Sequence, residues 1–140
     1  MSVQIAETRD IAVCRALRYT VFVEEQGVSE ADDLDDQDEA AIHLLARDAG
    51  EALGSARLLV VGQTGKIGRV CVVARARGRG IGAALIRAAV ARFCGVAGIK
   101  KVKLGAQTPA IGFYTALGFH PEGDAYDDAG IPHQDMVMDL

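Results

Sequence analysis

The sequence contains no tryptophan, and only 5% of its 140 residues are aromatic. It also lacks a hydrophobic run near its N-terminus, because the short segment at residues 3–6 meets charge at Glu7. We therefore expect neither a secretory signal nor a membrane span. The three cysteines, Cys14, Cys71 and Cys94, show no C-x-x-C spacing, so neither a zinc site nor a disulfide framework is indicated. These absences predict a cytoplasmic protein that uses no metal.

A strong excess of one charge is absent as well, since 15 Lys and Arg against 19 Asp and Glu give a formal net charge of -4. A nucleic-acid-binding protein normally presents a basic face, so we expect a small-molecule partner and neither nucleic acid nor membrane. Half of the residues are hydrophobic, which is enough for one compact core at this length. We predict a single domain over residues 1–140 and leave its oligomeric state open, with a homodimer as one alternative.

A glycine- and arginine-rich turn follows the apolar residues Val70–Val73. Gly78, Gly80 and Gly82 leave room for backbone N–H groups to surround an anion, beside the positive end of the helix that follows. We call residues 77–83 the phosphate turn. The candidate anion-binding residues are Arg77, Gly78, Arg79, Gly80, Ile81, Gly82 and Ala83. An ordinary tight turn before a helix remains the alternative.

A second motif, Gln-Thr-Pro-Ala-Ile-Gly-Phe-Tyr-Thr-Ala-Leu-Gly-Phe, occupies residues 107–119. Together with the phosphate turn it resembles the GNAT superfamily of N-acetyltransferases, and the resemblance extends over nearly the whole chain. Residues 15–26 (Arg-Ala-Leu-Arg-Tyr-Thr-Val-Phe-Val-Glu-Glu-Gln), Asp35-Asp36, His43 and residues 130–133 resemble most closely the ElaA-like subgroup.

The resemblance implies an acyl-CoA-dependent N-acyltransferase that transfers acetyl from acetyl-CoA to a primary amine by direct attack in a ternary complex, without a metal. It implies that the phosphate turn binds the diphosphate of the cofactor. It places these further residues at the cofactor: Val70, Cys71, Val72, Gln107, Phe113 and Tyr114. Tyr114 would also protonate the leaving thiolate, since a phenol keeps its proton at neutral pH. The alternatives are an aromatic core role for Tyr114 and a non-catalytic acyl-CoA sensor.

The acceptor amine must lose a proton before it attacks. The candidate bases are Glu24, Glu25, His43 and His133. His133 is preferred because Gly130-Ile131-Pro132 forms a fixed turn beside the last strand, although a surface histidine is an equal alternative. The residues expected at the acceptor are Glu25, His43 and Arg69. Arg69 could bind an acceptor carboxylate or pair with the acidic segment, and His43 also suits an inward, hydrogen-bonded role.

The acidic segment at residues 26–39 is predicted to be a solvated loop with one helical turn that favours cationic substrates. Its spacing does not match a calcium-binding EF-hand loop. The glycines of the phosphate turn also miss the G-x-G-x-x-G spacing of dinucleotide-binding domains, which disfavours that alternative. Cys71 has no activating partner beside it in sequence, so packing is preferred over a nucleophilic role.

Hydrophobic periodicity and turn residues predict the remaining architecture. Helices are expected over residues 9–22, from 81 to about 95 or 98, and from 109 to 118, and strands over 3–6, 41–47, 51–61, 66–73, 101–107, 119–124 and 133–140. The strand–helix–strand order around the phosphate turn indicates a right-handed crossover and one parallel pair. The fold class is therefore α/β (α+β): a GNAT-like mixed, mostly antiparallel central sheet of about six to seven strands flanked by helices, with a β-α-β acyl-CoA-binding core.

Overall fold

The computed structural model describes residues 2–140 and contains one mixed sheet flanked by helices. The strands are β1 (Val3–Thr8), β2 (Ile42–Asp48), β3 (Glu51–Val61), β4 (Thr64–Val72), β5 (Lys101–Gln107), β6 (His120–Pro121), β7 (Tyr126–Asp128) and β8 (Ile131–Asp139). The helices are α1 (Ile11–Arg18), α2 (Glu30–Asp33), α3 (Ile81–Cys94) and α4 (Ile111–Ala116). Within residues 2–140, none of the helices combines the length and the apolar character that crossing a bilayer requires.

The sheet order confirms the predicted fold class. Strands β1 to β4 form an antiparallel meander, β4 and β5 are parallel, and β8 is antiparallel to β5, β6 and β7. The eighth strand is the short β7, which was not predicted. It pairs with β8 through a turn at Ala129 and Gly130, whose φ angles of 52° and 82° are those of a tight hairpin.

The first helix ends earlier than predicted. Asp10 caps α1 by accepting a hydrogen bond from the Val13 N–H at 3.2 Å. Beyond Arg18 the chain continues as a π-helical segment over Tyr19–Glu25. Because that segment carries the chain on to Glu25, residues 25 and 26 reach the edge of the sheet region where β4 and β5 end.

The core lies where α3 packs on the sheet. Leu85, Ile86 and Phe93 are fully buried on the inner face of α3. The ring of Phe93 fits only because residue 65 is a glycine, since a Cβ at Gly65 would lie 2.5 Å from the ring. This close contact fixes α3 against β4 and thereby fixes the phosphate turn at its N-terminal end.

Candidate active site

A cleft opens where β4 and β5 separate. The two strands pair in parallel from Thr64–Ile67 with Lys101–Leu104 and then diverge. Just past this point β4 carries a bulge, because Arg69 and Val70 lie opposite the single residue Ala56 of β3. Arg69 adopts a left-handed φ of 51° there, which is unusual for a residue with a side chain. The result is a cleft of about 1000 Å³ lined by both strands.

The phosphate turn closes one end of this cleft. Gly78 and Gly80 have left-handed φ angles of 81° and 78°, and Gly80 precedes the first residue of α3. Within residues 2–140, the backbone N–H groups of residues 78–83 donate to no protein acceptor. Unpaired N–H groups at the N-terminus of a helix form a binding site for an anion such as a diphosphate.

The two arginines of the turn have different positions. Arg77 lines the cleft and makes a bidentate ion pair with Glu25 at 2.5 and 2.8 Å. Arg79 points away to Asp48 at 2.6 Å and does not line the cleft, so its side chain does not add charge there as predicted. The hydrogen bonds from Arg77 lower the pKa of Glu25, which makes this carboxylate a poor general base.

Two glutamines bridge the walls of the cleft beside this ion pair. The Gln107 amide donates to Gln26 Oε1 at 2.9 Å, and the Gln26 amide donates back to Gln107 Oε1 at 3.4 Å. Gln107 ends β5, whereas Gln26 follows the π-helical segment. Sequence analysis did not select Gln26, although its position directly after Glu25 in the motif at residues 15–26 could have indicated it.

Tyr114 lies on α4 and lines the cleft beside Phe113. Its ring makes edge-to-face contacts with Phe113 and Phe119, with centroid distances of 5.0 and 6.1 Å. Burial raises the pKa of Tyr114 above its ordinary value. The phenol therefore holds its proton at neutral pH and has the chemistry of a donor.

His133 lines the cleft from β8 with one ring nitrogen already committed. Its Nδ1 lies 2.7 Å from the carbonyl oxygen of Ile131, and a carbonyl oxygen can only accept. Nδ1 must therefore carry the proton, which leaves a lone pair on Nε2 in the neutral ring. The ring also stacks on Tyr126 at a centroid distance of 5.9 Å. These two contacts fix the orientation of the imidazole.

Tyr126 belongs to a polar cluster that sequence analysis missed. Its hydroxyl donates to Asp135 Oδ1 at 2.6 Å, and Lys103 lies 3.5 Å from the same carboxylate. A Cβ at Gly105 would approach the Tyr126 hydroxyl to 2.6 Å, so this position in β5 must lack a side chain. A glycine inside a strand is the sequence signal that could have indicated the close approach.

His43 does not reach the cleft, which corrects its predicted place at the acceptor. Its side chain is 3% exposed. Nε2 donates to the Asp38 carbonyl oxygen at 2.7 Å, so Nδ1 is free to accept from Arg18 at 3.2 Å. His43 is thus the inward, hydrogen-bonded histidine that was the alternative interpretation.

The acidic segment is not a fully solvated loop. Asp38 is 4% exposed and accepts hydrogen bonds from Arg15, Arg18 and Arg57. Burial alone would raise the pKa of Asp38, but the bonds from Arg15 and Arg18 outweigh it and hold the pKa far below its usual range. The predicted helical turn is present as α2, capped by the Ser29 hydroxyl.

Cys71 packs in the interior beneath the cleft. It is 4% exposed, its Sγ lies 3.5 Å from Ser55 Oγ, and burial raises its thiol pKa. A protonated, buried thiol is a packing group, as its sequence context indicated, and not an activated nucleophile. Within residues 2–140, no group of three or more His, Cys, Asp or Glu side chains is arranged to hold a metal ion.

Residues 14–140 match the family described as acetyltransferase (GNAT) domain. The protein ElaA of Escherichia coli is 34% identical over 128 residues, covering 89% of this chain and 84% of ElaA. The chain belongs to the GNAT acetyltransferase family. The resemblance recognised from the two motifs is thereby confirmed, including its likeness to ElaA.

Solved structures of GNAT proteins share the fold. A proposed N-acetyltransferase from Lactobacillus plantarum superimposes with a TM-score of 0.90 at 26% identity, covering 100% of this chain and 99% of that one. For the crystal structure of Escherichia coli ElaA the TM-score is 0.79 at 27% identity, covering 97% and 99%. A GNAT family acetyltransferase from Elizabethkingia anophelis with acetyl-CoA bound has a TM-score of 0.69 at 15% identity and covers 99% of both chains.

Within this GNAT fold, the cleft brings together nearly all the residues selected from the sequence. The selected residues that line it are Glu25, Arg69, Val70, Cys71, Val72, Arg77, Gly78, Gly80, Ile81, Gly82, Ala83, Gln107, Phe113, Tyr114 and His133. Arg79, His43 and the candidate base Glu24 lie outside it. Arg69 contacts Asp35 at 3.3 Å, which agrees with the predicted pairing to the acidic segment.

Proposed function

We propose that this GNAT protein transfers acetyl from acetyl-CoA to a primary amine by direct attack in a ternary complex. One observation carries the proposal: a single cleft is lined by an anion-binding turn, an unpaired strand edge, a protonated phenol and an imidazole with a free Nε2. These four surfaces match the diphosphate, the amide-rich arm, the leaving sulfur and the attacking amine.

The residues of this chain fit the cofactor. Unpaired N–H groups of residues 78–83 would bind the diphosphate, supported by the positive end of α3. Because β5 leaves β4 after Ile67, residues 68–72 have no strand partner on that side, and Val70–Val72 could pair with the amides of the pantetheine arm. The relative from Elizabethkingia anophelis, solved with acetyl-CoA bound, supports this choice of ligand.

Bound acetyl-CoA supplies an activated acetyl group as a thioester. His133 Nε2 accepts the proton that the amine loses as its nitrogen attacks the acetyl carbon. Tyr114 donates its proton to the sulfur as the carbon–sulfur bond breaks, so the products are the acetamide and free CoA. The imidazolium then releases one proton to solvent and the phenolate takes one up, which restores the neutral imidazole and the phenol.

Release of free thiol tests the proposal. The purified chain is mixed with acetyl-CoA and a panel of primary amines at about 1 mM, the upper end of ordinary KM values. We expect amine-dependent thiol release together with an acetylated product detected by mass spectrometry. Thiol release that never exceeds the amine-free background, with acetyl-CoA still bound in a calorimetric titration, would contradict catalysis and favour the sensor.

A further inference from the structure

The part of the cleft remote from the phosphate turn carries a loosely paired cation. Along β4 the lining residues run from Lys66–Arg69 through Val70–Val72 to the phosphate turn. Residues 66–69 thus lie beyond the stretch proposed to hold the arm of the cofactor. Lys66 and Arg69 line this part of the cleft, which is left for the acceptor amine.

Arg69 has a strained backbone conformation and few hydrogen-bond partners. Its left-handed φ of 51° at the bulge is a strained conformation for a residue with a side chain. Its Nε is buried without an acceptor, and Nη2 reaches only Asp35, at 3.3 Å. Both oxygens of Asp35 already accept shorter bonds from Arg57, at 2.7 and 2.9 Å. The charge of Asp35 is therefore neutralised by Arg57, and the Arg69 guanidinium keeps most of its capacity for an anion.

The other unpaired charges in the cleft are of both signs. Lys66 is cationic, and Asp32, Asp33 and Asp128 are anionic. Within residues 2–140, none of these four side chains has an ion-pair partner. A polyamine would leave Arg69 and Lys66 unmatched, and a dicarboxylate would leave the aspartates unmatched. A zwitterion satisfies both sets.

We infer that the acceptor is an amino acid, whose carboxylate is bound by Arg69 while its amine attacks the thioester. The inference rests on the proposed N-acetyltransferase function and names the substrate class of that site. The planar guanidinium binds a carboxylate through two parallel N–H···O bonds, and the acceptor carboxylate would exchange for the single long bond to Asp35. The aspartates of the cleft attract the ammonium form of the same molecule before it loses its proton.

Matched acceptors that differ only by the carboxyl group test the inference. We would compare phenylalanine with phenethylamine, leucine with isoamylamine, and lysine with cadaverine, and measure acetylated product and free CoA. Rates are expressed per unprotonated amine, because the carboxyl group changes the pKa of its neighbour. We expect at least one amino acid to exceed its decarboxylated partner in kcat/KM by about tenfold or more, the ordinary effect of a charged hydrogen bond.

Arg69→Asn removes the guanidinium and keeps the backbone, since asparagine tolerates left-handed φ values. This variant should raise KM for the amino acid by about tenfold or more relative to the KM for the matched amine. Arg69→Lys should restore part of the lost affinity. Arg47→Gln is the matched control, because Arg47 donates to Gly50 in its own hairpin and lies outside the cleft. Acetyl-CoA titration and a thermal melt show whether each variant is folded.

The outcomes separate this inference from the function on which it rests. Acetylation of the decarboxylated amines at equal or higher kcat/KM overturns the amino-acid assignment and leaves the acetyltransferase intact. An equal loss for both members of each pair in Arg69→Asn also overturns it, because the guanidinium would then not recognise the carboxylate. Absence of turnover with every acceptor overturns the inference and the proposed catalysis together.

Discussion

At the scale of single residues, Tyr114 and His133 are suited to opposite roles in proton transfer: Tyr114 is a donor and His133 is an acceptor. Burial keeps the Tyr114 phenol protonated, so it can only give a proton at neutral pH. The hydrogen bond from His133 Nδ1–H to the Ile131 carbonyl fixes the tautomer of the neutral imidazole. Its Nε2 therefore carries a lone pair and is the ring nitrogen that can accept a proton. A donor and an acceptor in one cleft suit a reaction in which one proton leaves an amine and another reaches a thiolate.

Replacing Tyr114 by phenylalanine removes the hydroxyl and keeps the ring contacts with Phe113 and Phe119. We expect kcat to fall by about 10²-fold or more, the usual contribution of a general acid, with acetyl-CoA affinity unchanged. Steady-state thiol release and calorimetric titration measure the two quantities. Tyr19→Phe is the matched control, because Tyr19 is exposed outside the cleft. An unchanged kcat would show that Tyr114 is not the acid.

Replacing His133 by glutamine removes the proton acceptor. We expect kcat/KM to fall by about 10²-fold or more, the usual contribution of a general base, with acetyl-CoA affinity unchanged. Steady-state thiol release and calorimetric titration of acetyl-CoA measure the two quantities for both proteins. His120→Gln serves as the control, since His120 is exposed and does not line the cleft. If the variant keeps the kcat/KM of the parent, another group accepts the proton.

At the scale of elements, the cleft results from the way in which β4 is built. Its first residues pair with β5, its bulge at Arg69 turns the strand away, and its end leads into the phosphate turn. The two walls are also bridged by Glu25 with Arg77 and by Gln26 with Gln107. The π-helical segment therefore helps to set the width of the cleft.

Replacing Gly80 by alanine tests the phosphate turn. The left-handed φ of 78° disfavours any side chain by about 1–2 kcal/mol, so the turn should relax and its N–H groups should lose their common direction. We expect weaker acetyl-CoA binding in a calorimetric titration. Gly62→Ala introduces similar strain at φ 61° in the hairpin between β3 and β4, outside the cleft. The proposed binding role is wrong if both variants bind acetyl-CoA like the parent.

At the scale of the whole molecule, a buried ionic cluster joins the acidic segment to the sheet. Asp38 accepts from Arg18 and Arg57, and Asp35 accepts from Arg57 and Arg69. The cluster thus reaches from α1 through β3 to the bulge of β4. Because buried charges are tolerated only when they are paired, each member depends on the others.

Replacing Asp38 by asparagine should cost about 3–5 kcal/mol of unfolding free energy at neutral pH, because Arg18 keeps a buried charge without its counterion. The folded-state pKa of Asp38 is depressed, so its stabilisation is complete above the unfolded value of about 3.9 and is lost as pH falls below it. The difference in unfolding free energy between parent and variant, measured by urea denaturation, should therefore become smaller at acid pH.

Asp36→Asn is the control for this prediction, since Asp36 is exposed in the same segment and makes no ion pair within residues 2–140. Its stability should match that of the parent at each pH. If the difference in unfolding free energy between the parent and Asp38→Asn stays constant from neutral to acid pH, the effect does not originate from the charge of Asp38.

Patterns within short stretches of sequence were enough to predict much of the fold. The sequence predicts the strands of the meander, the glycines of the phosphate turn and the motif around Tyr114, and the structure contains each of them. Each depends on neighbours close in sequence: alternation within a strand, φ freedom at a glycine, and helical spacing. The short strand β7 was missed because three exposed residues form too weak a pattern.

Which side chains meet depends on the tertiary structure. Burial of Asp38 requires arginines from α1 and β3, Arg79 turns away because Asp48 of β2 is within reach, and Tyr126 approaches Asp135 because Gly105 leaves space between them. These partners lie far apart along the chain. Local backbone preferences, which are written in short stretches of sequence, set the elements and the glycine conformations of the phosphate turn, whereas the charges left unpaired in the cleft depend on long-range packing.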